Sequence, residues 1–156
     1  MTNNIAEALK SAYNAITEFQ TKQQLKQQSR LIAVSKTKPA TAVAQAYQAG
    51  QRAFGENYVQ ELVSKATELH QLDGIEWHFI GPIQSNKTND IALYADWVHS
   101  IDRLKIAERL STQRPLDKAP LQVLLQVNIS GEESKSGIEP ADLINLAAQV
   151  ARLPQL

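Results

Sequence analysis

A lysine follows the first strongly apolar stretch of the chain, and it is the residue best suited to chemistry. The stretch "LIAVS" covers residues 31–35, and Lys36 comes directly after it. Consecutive apolar residues are typical of a strand buried on both faces, and lysine is almost never buried without a partner. At the end of such a strand a lysine has three uses, which its position alone leaves open. It can be a solvated charge, a clamp for a phosphate group, or an amine that forms a Schiff base with a carbonyl compound.

Three further polar residues follow or lie on later apolar stretches. Asn57 belongs to "FGENYVQE", where Glu56 or Asn57 could cap the next helix, or Asn57 could be a polar contact at the same rim as Lys36. His78 opens "HFIGPIQSNK", and a single histidine on a strand is more often a hydrogen-bonded core residue than a catalyst. Asn128 opens "NISGEESKSGI", a Ser- and Gly-rich stretch typical of a solvated loop.

Composition and motifs exclude several kinds of site. The chain has no cysteine, so disulfides, thiolate metal sites and cysteine nucleophiles are excluded. Its three histidines are scattered without metal-ligand spacing, and we expect no metal site. Neither a G-x-G-x-x-G motif nor a Walker lysine loop is present, which gives little support to a dinucleotide or nucleoside-triphosphate fold.

Charge and hydropathy argue against large charged or lipid partners. Sixteen basic residues balance sixteen acidic ones, so there is no electrostatic reason to expect nucleic acid or an anionic membrane as a partner. The N-terminal residues lack the pattern of a signal peptide, and no apolar stretch approaches the roughly 20 residues of a membrane helix. We therefore expect a cytoplasmic protein.

Apolar stretches alternate with helical patterns along the whole chain. Predicted strands lie at 31–35, 52–55, 76–80, 96–101 and 121–129, and predicted helices at 2–28, 39–49, 57–71, 84–94, 103–114 and 139–152. On the N-terminal helix one face carries Ile5, Leu9, Ala12, Ile16 and Phe19. Strands that alternate with helices predict βα units and a parallel sheet, which is either an open doubly wound sheet or a (β/α)8 barrel.

The alternation of side chains within two strands favours the barrel. In "EWHFI" (76–80), Trp77 and Phe79 share one face, opposite His78, and "LQVLLQVN" (121–128) likewise has one apolar and one mixed face. An open sheet between two helix layers would need two apolar faces, whereas a barrel can line its interior with the polar one. The same parity turns Lys36 inward at the carboxyl-end rim, where barrel enzymes keep their active sites.

The chain is short for a complete barrel. It has 156 residues and five predicted strands, whereas a barrel of this type has about 250 residues. We find no linker and no second composition regime, and so expect a single barrel domain over 1–156 that is C-terminally incomplete.

Five blocks together carry a resemblance to a known family. "AVSKTKP", "FGENYVQE", "WHFIGPIQSNK", "IDRL" and "QVNISGEESKSGI" closely resemble the pyridoxal phosphate homeostasis protein family, in this order and from about residue 31 to the end. The resemblance implies an alanine-racemase-like (β/α)8 TIM barrel that binds pyridoxal 5′-phosphate (PLP). It also implies that Lys36 carries PLP as a Schiff base, with the apolar strand holding the lysine rigidly and away from solvent. Asn57, His78 and Asn128 would belong to the surroundings of the cofactor.

The resemblance also implies what this chain lacks. Members of the family continue through three more strands, which supply a phosphate cup and an arginine near the pyridine nitrogen. We expect this chain to retain the lysine, to bind PLP weakly and not to fold stably on its own. Its expected role is to hold PLP, limit free aldehyde and pass the cofactor to PLP-dependent apoenzymes, as a monomer when full length, rather than to catalyse efficiently. The alternatives are a PLP-dependent amino-acid racemase of low activity, or a cofactor-free lyase that uses Lys36 on a carbonyl substrate.

Overall fold

Helices and parallel strands alternate through the computed structural model, which describes residues 4–156. The strands are β1 (Ala33–Val34), β2 (Ala53–Glu56), β3 (Glu76–Phe79), β4 (Trp97–Ile101) and β5 (Gln122–Leu125). The α-helices are α1 (Ile5–Lys22), α2 (Ala40–Gln48), α3 (Val59–Glu68), α4 (Thr88–Tyr94), α5 (Leu104–Gln113) and α6 (Leu143–Val150). Short 3₁₀ helices at Ser85–Lys87 and Pro140–Asp142 precede α4 and α6.

The five strands form one parallel sheet in the order β1-β2-β3-β4-β5. Each strand pairs with the next one along the chain, and a helix connects each pair. Since crossover connections between parallel strands are right-handed, successive helices lie on the same side of such a sheet. This is the arrangement of part of a (β/α)8 barrel, which the alternation of side chains within two strands favoured over an open doubly wound sheet.

The two faces of the sheet differ as the alternation predicted. Trp77 and Phe79 are buried in the apolar core that the outer face forms with the helices. On the other, inner face, Val34 and Leu124 are 52% and 46% exposed. The polar residues of β3 lie on this inner face. We therefore use "outer" for the helix side of the sheet and "inner" for the opposite side.

The N-terminal helix is shorter than the predicted 2–28. It begins at Ile5, with the Asn4 side chain accepting a hydrogen bond from the Glu7 amide, and it ends at Lys22. Gln24 has a φ of +51°, which is incompatible with a continuing helix. Phe19, the last residue of the predicted apolar face, is 60% exposed, and residues 2 and 3 of the predicted helix lie outside the described residues.

Other boundaries also differ from the prediction. The strand predicted at 121–129 ends at Leu125, because the chain then turns and Val127 pairs with Ile138. The helix predicted at 57–71 covers only Val59–Glu68. Among residues 4–156, no helix combines the length and the apolar character required to cross a membrane.

Candidate functional site

Lys36 lies in a tight turn at the carboxyl end of β1. The Lys38 amide donates a hydrogen bond of 3.0 Å to the Ser35 carbonyl, which closes the turn around Lys36 and Thr37. The Lys36 side chain is exposed and makes no hydrogen bond with the described residues. The expectation that the apolar strand shields this lysine from solvent is therefore wrong for this chain. The reason is that β1 lies at the edge of the sheet and its inner face is open.

The direction of the residues before Lys36 agrees with the predicted parity. A Cβ added to Gly55 would lie within 3.5 Å of the side chains of Ile32 and Val34, so these three positions share the inner face. Ser35 is buried, and its hydroxyl donates on the outer side to Glu56 at 2.5 Å. Lys36 follows as the next residue, at the carboxyl-end rim.

A buried ammonium group lies directly beneath this turn. Lys65 of α3 is 5% exposed, and its Nζ donates three hydrogen bonds of 2.7 Å. The acceptors are the Ser35 carbonyl, Glu56 Oε1 and Glu61 Oε2. An ammonium group has three donors, so its capacity is fully used. We call Ser35, Glu56, Glu61 and Lys65 the buried lysine network.

The network also reaches the residue after Lys36. The Thr37 amide donates to Glu61 Oε2 at 2.8 Å, and Thr37 has a φ of +62°, which is unusual for a β-branched residue. The hydrogen bond from Lys65 lowers the pKa of Glu61 below its usual value, because it favours the charged carboxylate. Glu56 is fully buried, and its Oε2 has no hydrogen-bond partner among residues 4–156.

Asn57 lies at the same rim as Lys36, one strand along the sheet. It does not cap α3, whose N-cap position is Tyr58 without a side-chain hydrogen bond, and Glu56 is occupied in the buried network. Both residues considered as caps are thus wrong in that role. Gly81, after β3, packs against the Asn57 backbone, and a Cβ there would lie 2.0 Å from the Asn57 carbonyl oxygen. Asn57 lines a cleft of about 400 Å³ together with Tyr58, Val59, Gln60, Phe79, Pro82, Gln84 and Lys87.

His78 lies on the inner face in the middle of the sheet and is 2% exposed. Its Nε2 lies 2.6 Å from Glu76 Oε1, and its Nδ1 lies 2.9 Å from His99 Nε2. The ring also stacks on Trp97, with centroids 5.7 Å apart. Burial lowers the pKa of His78, although the hydrogen bond to Glu76 opposes this effect. Both ring nitrogens are engaged by protein groups, so His78 resembles a structural core histidine.

Asn128 lies apart from the other candidates. It follows β5, at the opposite edge of the sheet from β1, so about four strand spacings of roughly 4.8 Å separate it from Lys36 along the sheet. Its Oδ1 accepts from the Gly131 amide at 3.1 Å, and its Nδ2 donates to the Glu132 carbonyl at 3.0 Å. The structure thus brings Lys36 and Asn57 to neighbouring strand ends, and leaves Asn128 in its own loop.

The buried lysine network was missed at the level of sequence. The available signal was Lys65 itself, which stands three residues after the buried Leu62 and therefore on the apolar stripe of α3. Glu61 at the i−4 position and Glu56 at the end of β2 were its candidate partners. Within residues 4–156, no group of three or more His, Cys, Asp or Glu side chains is arranged to hold a metal ion.

Comparison with a protein-family model and with curated relatives identifies related families. The model of the alanine racemase N-terminal domain matches residues 13–156. The pyridoxal phosphate homeostasis protein of Vibrio cholerae is 62% identical over 130 residues, covering 81% of this chain and 55% of the relative. The protein of the same name from Escherichia coli is 61% identical over 128 residues, with the same two coverages. The chain spans about half the length of the curated relatives it matches.

Solved structures agree with this result. PipY from Synechococcus elongatus, solved with PLP bound, is 40% identical with a TM-score of 0.79, and the match covers 97% of this chain and 66% of PipY. An alanine racemase from Corynebacterium glutamicum, 18% identical with a TM-score of 0.58, shares the fold; that match covers 81% of this chain and 36% of the racemase. These findings confirm the resemblance and the alanine-racemase-like fold.

Proposed function

The chain belongs to the alanine racemase N-terminal domain family, and from that premise we propose that it binds PLP as a Schiff base on Lys36. The observation that carries the proposal is the Lys36 side chain, which is exposed and makes no hydrogen bond with the described residues. The turn that carries it is held by hydrogen bonds to Lys65 and Glu61 of α3. The chain's 40% identity to PipY, which was solved with PLP bound, supports the choice of cofactor.

The described residues fit the carbonyl end of this cofactor. A primary amine that is open to solvent and free of hydrogen bonds to protein can react with an aldehyde once it is neutral. The Lys36 amine would supply the nitrogen of a C=N bond to the aldehyde carbon, and the aldehyde oxygen would leave as water. Asn57 would offer a polar contact from the neighbouring strand end. For His78 and Asn128 we propose indirect roles, in shaping the inner face and the rim loop, because protein groups already engage their side chains.

At the level of the whole protein, we propose that it holds PLP, limits the free aldehyde and passes the cofactor to PLP-dependent apoenzymes. The names of the curated relatives support homeostasis as the biological role. The absence of efficient turnover, the monomeric state of the full-length form and the cytoplasmic location stay predictions.

The test is a titration of the chain with PLP, followed by borohydride reduction and peptide mapping. We expect a visible absorbance band that reduction converts into a stable adduct on Lys36. The Lys36→Ala variant should lose both the band and the adduct. Reduced adducts spread over surface lysines, with none enriched at Lys36, would overturn the proposal.

Lys38 provides the matched control, since it is an exposed lysine in the same turn. The Lys38→Ala variant should retain the Lys36 adduct, because the proposed attachment requires only the Lys36 amine. Equal loss of the adduct in Lys36→Ala and Lys38→Ala would show that PLP reacts with either lysine of the turn, and would contradict a specific attachment to Lys36.

A further inference from the structure

Lys36 is the only residue of its turn whose two neighbours are both tied to the same buried ammonium–carboxylate group. Before it, the Ser35 carbonyl accepts from Lys65 Nζ at 2.7 Å, and after it, the Thr37 amide donates to Glu61 Oε2 at 2.8 Å. Lys65 Nζ and Glu61 Oε2 are themselves 2.7 Å apart. The peptide planes on either side of Lys36 are therefore fixed from the outer side of the sheet, while its side chain remains unbonded to the described residues.

The contact with Ser35 acts on Lys36 directly. The Ser35 carbonyl and the Lys36 amide belong to one planar peptide unit, so a hydrogen bond that fixes the carbonyl also fixes the orientation of the Lys36 backbone. The same carbonyl accepts the Lys38 amide that closes the turn, at 3.0 Å. The Ser35 carbonyl oxygen thus joins the turn to α3 through Lys65, which lies 30 residues further along the chain.

The conformation of Thr37 indicates that the turn needs this support. A β-branched residue at a φ of +62° is strained and persists only where the surrounding structure determines it. The hydrogen bond from Thr37 to Glu61 is the contact that the structure provides. Glu61 is in turn held by Lys65, so removal of the ammonium group loosens both sides of Lys36.

From this geometry we propose that Lys65 is a positioning residue, which holds the Ser35–Lys38 turn from the outer layer and so directs the Lys36 amine toward the carboxyl-end rim. This proposal rests on the proposed function, because it concerns the reactivity of Lys36 toward the aldehyde of PLP. Lys65 does not contact the cofactor in this account, and it acts only through the turn.

The first readout needs no cofactor. It is amide hydrogen exchange of Thr37 and Lys38, the two turn amides that donate hydrogen bonds, in the Lys65→Met variant, which retains the length of the side chain and removes its donors. We expect exchange to become at least about tenfold faster, the lower end of the effect of losing one charge-assisted hydrogen bond. The Glu61→Ala variant, altered at a partly exposed position, should accelerate Thr37 in the same direction and remains informative if Lys65→Met folds poorly.

Leu62→Ala is the matched control for general destabilisation. Leu62 is a fully buried residue of the same helix, and it does not belong to the buried lysine network. Leu62→Ala should lower the global stability and accelerate exchange of the turn amides and the core amides by the same factor. The ratio between the exchange rates of the two sets should therefore remain as in the wild type. If Lys65→Met and Glu61→Ala change the turn amides no more than Leu62→Ala does, the positioning role is wrong.

The second readout is the rate at which the borohydride-trapped Lys36 adduct forms with PLP. We expect this rate to fall about tenfold in Lys65→Met and to stay near the wild-type value in Leu62→Ala, since an amine that samples more directions spends less time in the reactive one. A wild-type chain without an adduct on Lys36 would refute the proposed function, while the exchange data would still decide whether Lys65 orders the turn. An unchanged adduct rate despite faster exchange would overturn the proposed link to Lys36.

Discussion

The turn after β1 and the loop after β5 both carry a candidate cofactor residue at the carboxyl end of an edge strand, but they are held in different ways. The turn around Lys36 is tied to α3 through Lys65, which is 5% exposed. The loop at Asn128 is held by hydrogen bonds to its own residues Gly131 and Glu132. The backbone of Ile138 also pairs with Gln126 and Asn128. The first region thus depends on a contact between residues 30 apart, and the second on contacts within residues 126–138.

This difference has consequences for stability and motion. A buried ammonium with two carboxylate partners has lost its hydration, and removing it leaves the fully buried carboxylate of Glu56 without a cation. The exposed pair of Lys135 and Glu132 in the second region remains hydrated, with side chains 58% and 52% exposed. Local opening of the Asn128 loop should therefore require little free energy, whereas opening of the Lys36 turn should require more, because it breaks the contacts with Lys65 of α3.

The largest expected effect is that of Lys65→Met on the free energy of unfolding. The variant leaves Glu56 and Glu61 without their cation, and loss of one partner from a buried ion pair costs about 3–5 kcal/mol. Urea unfolding followed by circular dichroism measures the change. Lys135→Met makes the same side-chain replacement in the exposed pair and should leave the unfolding midpoint unchanged. Equal losses in the two variants would contradict the distinction between the regions.

A smaller effect is expected for Asn128→Ala. The change removes the acceptor of the Gly131 amide and the donor to the Glu132 carbonyl, and we expect a loss of about 1 kcal/mol, typical of ordinary hydrogen bonds. Amide exchange should become faster at Gly131 and remain unchanged at Thr37. If exchange at Thr37 also became faster, the two regions would be coupled, contrary to their separation at opposite edges of the sheet.

The same contrast explains how much could be predicted from the sequence. The burial of Trp77 and Phe79 on one face was predicted correctly, because a period of two residues is a local property of a strand. The rim position of Lys36 followed from the end of the apolar stretch for the same reason. The position of Lys65 on the apolar stripe of α3 was a local signal for its burial, but its contact with Ser35 joins residues 30 apart and could not be predicted from a local pattern.

The boundaries of α1 and α3 were less predictable for a related reason. The polar residues after Lys22 are compatible with a helix, and only the positive φ of Gln24 shows that it has ended. Asn57 is a favoured cap residue, yet the close approach of Gly81 to its backbone is a tertiary contact that the local sequence does not show. Local chemistry therefore predicted the rim positions of Lys36 and Asn57, whereas His78 lies within β3 and not at a strand end. The packing between layers determined which of the rim residues are held rigidly.

The smallest effect concerns acid stability, and it tests whether Glu61 works as a charged partner. Its folded pKa is lowered by the hydrogen bond from Lys65, so the stabilisation is complete above the ordinary value of 4.5 and is lost as the pH falls through the folded pKa. Glu61→Gln lacks this contribution. The difference in unfolding free energy between wild type and variant should thus be constant above about pH 5 and should shrink as the pH falls below the ordinary value and through the folded pKa. Glu132→Gln is the control, because the hydrogen bond from Lys135 lowers the pKa of Glu132 as Lys65 lowers that of Glu61. The pair of Lys135 and Glu132 is exposed. Added salt should therefore abolish the pH-dependent difference in stability for Glu132→Gln and retain the difference for Glu61→Gln. A Glu61 difference that is independent of pH, or equally sensitive to salt, would show that the turn after β1 is held by the shape of Glu61 rather than by its charge.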